Sequence, residues 1–267
     1  MTNALKTINK INVCIDYIKR FFKESNGEKA VIGISGGKDS TVAAALCVQA
    51  LGKENVIGVL MPNGEQKDIK DAERVCEYLN IKNYKIDIKD AFFGILSKLT
   101  LAGFNNGAFS KQSLINLAPR LRMATLYTIA QSVNGRVINT TNACERFVGY
   151  GTLFGDTVGD LALLKNLTVS EIYEIGDALG LPYDLVHKTP ADGLTGKSDE
   201  EVLGVSYEDI EKYLKAERKS YLLKDEGYAF YQMKDEMNID TFKKIDELTY
   251  KSEFKRQMIN IPGPEFL

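Results

Sequence analysis

Lys29-Ala-Val-Ile-Gly-Ile-Ser-Gly-Gly-Lys-Asp-Ser-Thr-Val-Ala-Ala-Ala-Leu46 decides the fold. Residues 29–34 are an apolar run with the length of a buried strand, and a glycine turn follows. An alanine-rich helical segment, Asp39 to Ala50, comes next and can approach a sheet closely. Three loop patterns compete for this strand–turn–helix. A Walker A loop fails because Lys38 stands where its second glycine belongs. A dinucleotide fingerprint fails because Ser35 takes the place of its middle glycine. Gly33-x-Ser35-x-Gly37 does satisfy the nucleophile elbow of α/β-hydrolases, with Asp156 or Asp160 and then His187 formally available in order. The charged helix start Lys38-Asp39-Ser40 is not called for by that mechanism. It suits a phosphate-gripping loop, in which Gly36 and Gly37 let backbone N–H groups approach phosphate oxygens. The helix N-terminus adds its positive end, Ser35 and Ser40 add hydroxyls, and Asp39 can hold Mg²⁺.

Outward from this loop, strand and helix patterns alternate. A helix over 4–22 carries the stripe Ala4, Ile8, Ile11, Ile15, Ile18 and Phe22. Asn55–Met61 reads as a second strand, followed by a polar loop at Pro62-Asn63-Gly64 and a helix to about Leu79. Asn83–Ile88 is a third strand, about Lys111–Val133 a long helix, and Arg136–Thr140 a fourth strand. This alternation predicts parallel βαβ units in an α/β, doubly wound, Rossmann-like sheet. From Asn142 to about Leu164 the turn residues look too dense for regular structure, and loops of that length are usually functional. Helices follow at Val169–Leu179, about Tyr207–Arg218 and Ile239–Gln257, so helical additions begin near 205. A polar, mobile segment is expected at Asp192–Glu201. No repeat or linker divides the chain, and residues 1–267 read as one domain.

Composition narrows the partners. The chain has 267 residues, a net charge of −2 and an apolar share of 44%, enough for a substantial core. That charge argues against long nucleic acids as partners. No apolar run approaches the about 20 residues that span a bilayer, and the N-terminus is amphipathic rather than signal-like, so a cytoplasmic protein is expected. Cys14, Cys47, Cys76 and Cys144 are widely spaced, which speaks for reduced structural thiols. His187 is the only histidine, so a histidine-rich metal site is excluded.

Ser35-Gly36-Gly37-x-Asp39-Ser40 resembles the SGGxDS signature of the ATP pyrophosphatase family, whose fold is that of the adenine nucleotide alpha hydrolases. Further residues resemble one branch, the NAD synthetases: Asn116-x-x-x-Arg120-x-Arg122-Met123, then Asn139-Thr140-Thr141-Asn142-x-x-Glu145. Val148-Gly149-Tyr150, Phe154-Gly155-Asp156 and Gly159-Asp160 continue the match. Lys188-Thr189-Pro190, Asp199-Glu200 and Leu203-Gly204-x-x-Tyr207 extend it, so that the likeness runs from about 29 to 256. The resemblance implies a ligase that makes NAD from nicotinic acid adenine dinucleotide, ATP and ammonia, through an adenylated intermediate, releasing AMP and pyrophosphate. It implies ATP contacts from Gly33, Ile34, Ser35, Gly36, Gly37, Lys38, Asp39, Ser40 and Thr140. It also implies dinucleotide contacts from Arg120, Asp160 and Lys255, and a Mg²⁺ held by Asp39 and Glu145. Asp156 is expected at the ammonia site, where a carboxylate can take the ammonium proton.

Several positions depart from the commonest pattern of that family. Leu153 and Val169 stand where lysines are common, Ala191 where a hydroxyl is common, and Phe254-Lys255 where a His-Lys pair is common. Lys165 is the expected substitute for one lost lysine, with a catalytic role. Pro119 falls inside an expected helix and signals a kink or a helix start. Glutamine-using relatives carry a large amidase domain, whereas 32 residues precede Gly33 here, so free ammonia is the expected nitrogen source. The resemblance also implies a homodimer with a shared dinucleotide site. Two other readings stand beside this one: a non-catalytic adenine-nucleotide-binding module, and a serine hydrolase using Ser35 and His187.

Overall fold

Strand β1 (Lys29–Gly33) lies at the centre of a five-stranded parallel sheet with the order β3–β2–β1–β4–β5. The computed structural model describes residues 2–66, 68–188, 198–223 and 237–266. β2 (Val56–Leu60) flanks β1 with Val31 opposite Ile57, and β4 (Gly135–Asn139) flanks it with Val31 opposite Val137. β3 (Lys82–Lys85) is an edge strand with every residue exposed, shorter and earlier than the expected 83–88. β5 (Leu161–Ala162) closes the other edge.

Alternation of side chains sorts the core into two layers. Ala30, Ile32 and Leu60 face helices α1 (Asn3–Glu24), α2 (Lys38–Leu51) and α7 (Val169–Ala178). Val31, Ile57, Val59 and Val137 face α5 (Lys111–Ser132), where Ala118 and Ala130 are buried. The sheet is therefore doubly wound, as the strand–helix alternation predicts. Ala43, Ala44 and Ala45 of α2 are buried, so small side chains let this helix lie close to β1.

Local differences from the sequence pattern have physical causes. The buried stripe of α1 is Thr7, Ile11, Cys14, Ile18 and Phe22, rotated from the expected one, and Ile8 is left 51% exposed. Burying Ile18 fully is worth about 2 kcal/mol, and Thr7 can turn inward because its hydroxyl has two acceptors in reach, Asn3 O at 3.1 Å and Glu174 Oε2 at 3.0 Å. Between α3 (Ile69–Tyr78) and α5 lies α4 (Lys89–Leu101), for which no helix is expected above; none of its residues is buried. The Asn142–Leu164 stretch is not wholly irregular. It holds α6 (Ala143–Val148), closed by a capping box between Asn142 and Glu145, and also β5. Pro119 sits inside α5, not at its start.

Short helices α8 (Tyr183–Val186) and α9 (Asp199–Leu203) precede α10 (Tyr207–Leu223) and α11 (Ile239–Met258). α9 overlaps the end of the segment expected to be mobile; its residues 192–197, together with Thr189, Pro190 and Ala191, lie outside the described residues. α6, α10 and α11 share a second core around Cys144, Val148, Ile210 and Ile245. All four cysteines are free and buried. Burial pushes the Cys144 thiol up to about 12 and the Cys76 thiol to about 11, which keeps both protonated and inert.

Candidate active site

The chain runs β1 to β3 in one direction along the sheet and then returns to place β4 beside β1. Crevices beyond the carboxyl ends of strands at such a reversal are where open α/β sheets bind ligands. Two segments meet there: the loop Ile34–Gly37 after β1, and Thr140–Asn142 after β4. Two adjoining cavities of about 350 and 840 Å³ open above them, and both are lined by Ser35, Asp39, Arg122, Glu145, Tyr150 and Asp156.

The loop is internally braced. The Ser35 and Ser40 hydroxyls are 3.1 Å apart, Gly37 N–H donates to Ser35 Oγ at 3.2 Å, and the Ser40 hydroxyl donates to Gly37 O at 3.1 Å. Thr41 Oγ1 donates to the same carbonyl at 2.8 Å. Gly36 has φ +82°, and a Cβ there would lie 2.7 Å from Ala72 N. The first turn of α3 thus excludes a side chain at Gly36, a packing reason that adds to the phosphate-approach reason. A Cβ on Gly37 would meet only Ser35 Oγ, at 3.4 Å. Gly33, Ile34 and Thr140 line the smaller cavity together with Val59, Met61 and Leu126, an apolar floor of the right character for a purine.

Asp39 lies in the first turn of α2 and is held at both oxygens. Lys38 Nζ lies 3.0 Å from Oδ2, and Asn142 Nδ2 donates to Oδ1 at 3.1 Å. Asn142 in turn caps α6: its Oδ1 accepts from Glu145 N, and its N–H donates to Glu145 Oε2, both at 3.0 Å. Burial and the neighbouring Asp39 charge raise Glu145 well above the ordinary carboxylate range, against the opposing pull of Lys38. Two carboxylates that repel each other in a partly buried cleft are a fit for a hard divalent cation. Among the described residues no cluster of three or more His, Cys, Asp or Glu side chains can enclose a metal. A cation on Asp39 and Glu145 would therefore need phosphate or water oxygens as well, the usual habit of Mg²⁺.

On the opposite wall Asp156 Oδ1 accepts from Thr152 N at 2.6 Å. The surrounding protein raises its carboxyl above the ordinary value, against the Thr152 N–H, Lys255 and Arg122. Lys255 Nζ donates to Gly149 O and Gly151 O, both at 2.8 Å, and lines the larger cavity. Burial lowers its affinity for a proton, while Asp156 opposes that effect.

Three expected site residues lie outside these two cavities, although Lys165 lines a small adjoining one of about 50 Å³ with Glu145, Tyr150 and Lys255. Arg120 is exposed and donates to Leu153 O through Nε and Nη2 at 3.3 and 3.2 Å, outside both cavities. Asp160 braces β4 instead, accepting from Val137 N at 2.7 Å and from Tyr127 OH at 3.4 Å. Lys165 donates to Ile261 O at 3.1 Å and pairs with Glu265 at 3.7 Å, so its ammonium is committed to the C-terminal tail. His187 stacks between Tyr173 and Tyr183 and contacts Asp177 Oδ1 at 2.8 Å; it lines a separate cavity that Ser35 does not reach. The Ser35–His187 hydrolase arrangement is absent.

Two further residues, one lining the cleft and one buried behind it, lie in the quoted motifs without being singled out. Arg122 lines both cavities, and its Nε donates to Met61 O at 2.9 Å. Pro119, Arg122, Met123 and Leu126 share one face of α5 by their 3–4–7 spacing, a signal readable in the sequence. Asn142 and Glu145 carry the spacing of a capping box, which marks the helix start.

Sheet order, loop and cleft define an α/β fold of the pyrophosphatase-loop type. The chain belongs to the NAD synthase family, whose model matches residues 10–259. It is 36% identical over 261 residues to the NH(3)-dependent NAD(+) synthetase of Methanocaldococcus jannaschii, covering 96% of each chain. It is likewise 36% identical over 241 residues to that of Pyrococcus furiosus, covering 89% of each. Among solved structures, NMN synthetase from Francisella tularensis superposes with a TM-score of 0.78 at 30% identity, over 96% of this chain and 98% of that one. NH3-dependent NAD synthetase from Campylobacter jejuni does so with a TM-score of 0.76 at 28% identity, over 96% and 99%. Among the described residues no helix is long and apolar enough to cross a membrane.

Proposed function

We propose that this chain is an ammonia-dependent NAD(+) synthetase whose chemistry takes place in the cleft between the β1 and β4 loops. The observation that carries the reading is the Asp39–Asn142–Glu145 linkage, which sets two acidic side chains over a glycine loop at the switch point. The nicotinate carboxylate oxygen of the dinucleotide attacks the α-phosphorus of ATP, and the bond to pyrophosphate breaks. Ammonia then attacks the acyl carbon, and AMP leaves.

The residues act mainly by managing charge, since a carboxylate must approach a polyanion. The glycine loop and the N-terminus of α2 would receive the phosphates, with Ser35 and Ser40 bracing the turn. Asp39 and Glu145 are the side chains that would hold Mg²⁺, which supplies charge neutralisation on phosphate oxygens when bound. Thr140 lies beside the apolar floor where the adenosine end of ATP fits. Arg122 and Lys255 offer cations from two walls. Asp156 is the base for ammonium, because a carboxylate of raised proton affinity holds the cation and takes its proton. Asp160 acts through β4 as a positioning residue, and Lys165 anchors the tail.

The homodimer fits the exposed apolar side chains of the α4 region, Phe93, Leu101 and Phe104, which are 55%, 77% and 54% exposed. Arg120 is exposed in the middle of the neighbouring α5 and is available to a dinucleotide bound partly by a second copy. The whole of residues 1–267 acts as one catalytic domain.

Incubation with Mg·ATP, nicotinic acid adenine dinucleotide and ammonium tests the reading by pyrophosphate release. Release that depends on the dinucleotide supports it; none would reject it, and with it the choice of an enzyme over a nucleotide-binding module. Full activity in Asp39→Ala would remove the metal assignment. The likeness to the Francisella NMN synthetase favours a second reading, the same amidation on the mononucleotide, which a side-by-side comparison of kcat/KM for the two acids decides.

A further inference from the structure

Lys38 is placed where a lysine is hard to explain by local structure. It opens α2, where the helix dipole disfavours a cation, and yet it is only 3% exposed. A buried ammonium needs partners, and Lys38 has three. Its Nζ lies 3.0 Å from Asp39 Oδ2. It also lies 5.4 Å from the centre of the Tyr207 ring and 6.0 Å from that of Tyr173, within cation–π range. The Tyr207 ring is fixed in turn, because its hydroxyl donates to Asp199 Oδ2 at 3.2 Å, while Tyr150 OH donates to Asp199 Oδ1 at 3.0 Å. The ammonium is thus boxed by two aromatic faces and one carboxylate and is turned toward the acidic pair.

We propose that Lys38 is a built-in counter-ion for the Asp39–Glu145 pair, a positioning residue that keeps the two carboxylates together without metal and weakens divalent-cation binding to them. This rests on the reading of Asp39 and Glu145 as the metal pair. Opposite charges at 3.0 Å in a nearly closed site attract far more strongly than on a surface. A fixed cation at that distance from a metal ligand also repels an incoming divalent ion. The metal then binds tightly only when substrate phosphates add their charge, so binding is coupled to ATP.

The test titrates Mn²⁺ alone into wild type and Lys38→Met, following free Mn²⁺ by paramagnetic resonance, and compares chemical unfolding without metal. Lys38→Met is expected to bind Mn²⁺ about tenfold more tightly, a gain of about 1.4 kcal/mol, and to be less stable without metal. Glu145→Gln in the Lys38→Met background is expected to restore metal-free stability, which loss of lysine packing alone would not allow. Equal or weaker Mn²⁺ binding in Lys38→Met overturns the proposal, as does failure of Glu145→Gln to restore stability. A Lys38→Met chain that loses affinity for a non-hydrolysable ATP analogue with Mn²⁺ affinity unchanged makes Lys38 a phosphate ligand instead. If wild type and Lys38→Met both ignore Mn²⁺ and Asp39→Ala keeps full activity, the metal pair itself is wrong and the proposal falls with it.

Discussion

Asn142 Nδ2 reaches Asp39 Oδ1 at 3.1 Å and so ties the turn after β4 to the helix start after β1 across the point where the sheet order reverses. These residues are 103 positions apart in sequence. One amide side chain performs two tasks, since its Oδ1 also caps α6 and fixes the Glu145 backbone. Asn142 is fully buried, so neither task can pass to solvent.

Asn142→Ala therefore removes a helix cap and a brace on Asp39 together. The cap alone is worth about 1–2 kcal/mol. Unfolding by urea is expected to show at least that loss, and pyrophosphate release is expected to fall even under conditions where the variant stays folded. Asn142→Asp keeps the cap but sets a third negative charge beside Asp39 and Glu145. It should recover stability only in part and remain impaired in turnover.

Gly36 and Gly37 should separate in mutagenesis although they are neighbours. Gly36→Ala forces a side chain to φ +82° and against Ala72 N, a strain of about 1–3 kcal/mol, read as a lower melting temperature. Gly37→Ala places its methyl 3.4 Å from Ser35 Oγ. It should fold normally and show its defect as a higher KM for ATP.

Gly36 and Asn142 also show what was legible in the sequence. Residues 29–46 expose strand, loop and helix because their apolar, glycine and alanine blocks act locally. The parallel, doubly wound class follows from the same local signals, whereas the strand order and the short edge strand β5 do not. Asp160 and Lys165 show the limit. Residue type and motif position place an aspartate and a lysine near the chemistry, but partners remote in sequence hold them. Val137 N lies 23 residues from Asp160, and Ile261 O lies 96 residues from Lys165. The α4 helix carries no readable stripe for a related reason: none of its residues is buried, and Phe92 is the side chain that packs against the core.

Asp156 should give the pH profile an acidic limb. The surrounding protein raises its carboxyl above the usual 3.8, so as pH falls the side chain takes up a proton earlier than an ordinary aspartate and can no longer accept one from ammonium. Activity is expected to drop through that raised value, and Asp156→Asn should lose both the limb and most turnover. For stability the sign is opposite. The folded carboxyl holds its proton more tightly than the unfolded one, so its contribution is full below the ordinary value and is lost as pH rises through the raised value. Denaturation midpoints of wild type and Asp156→Asn against pH test this.

The α4 face should behave as a subunit contact. Phe93→Asp puts a charge on an exposed apolar side chain, so a monomer would tolerate it with little change in stability. Sedimentation velocity is expected to show a dimer for wild type and a monomer for this variant. KM for the dinucleotide should rise together with the loss of the dimer, and Arg120→Ala should raise the same KM without dissociating it.

The most direct measurement is to supply ¹⁵N-ammonium with Mg·ATP and nicotinic acid adenine dinucleotide and to weigh the dinucleotide product. The expected product is NAD carrying ¹⁵N in its carboxamide, formed in equal amount with AMP and pyrophosphate. ATP cleaved to ADP and phosphate, or a dinucleotide that gains no ¹⁵N, would contradict it.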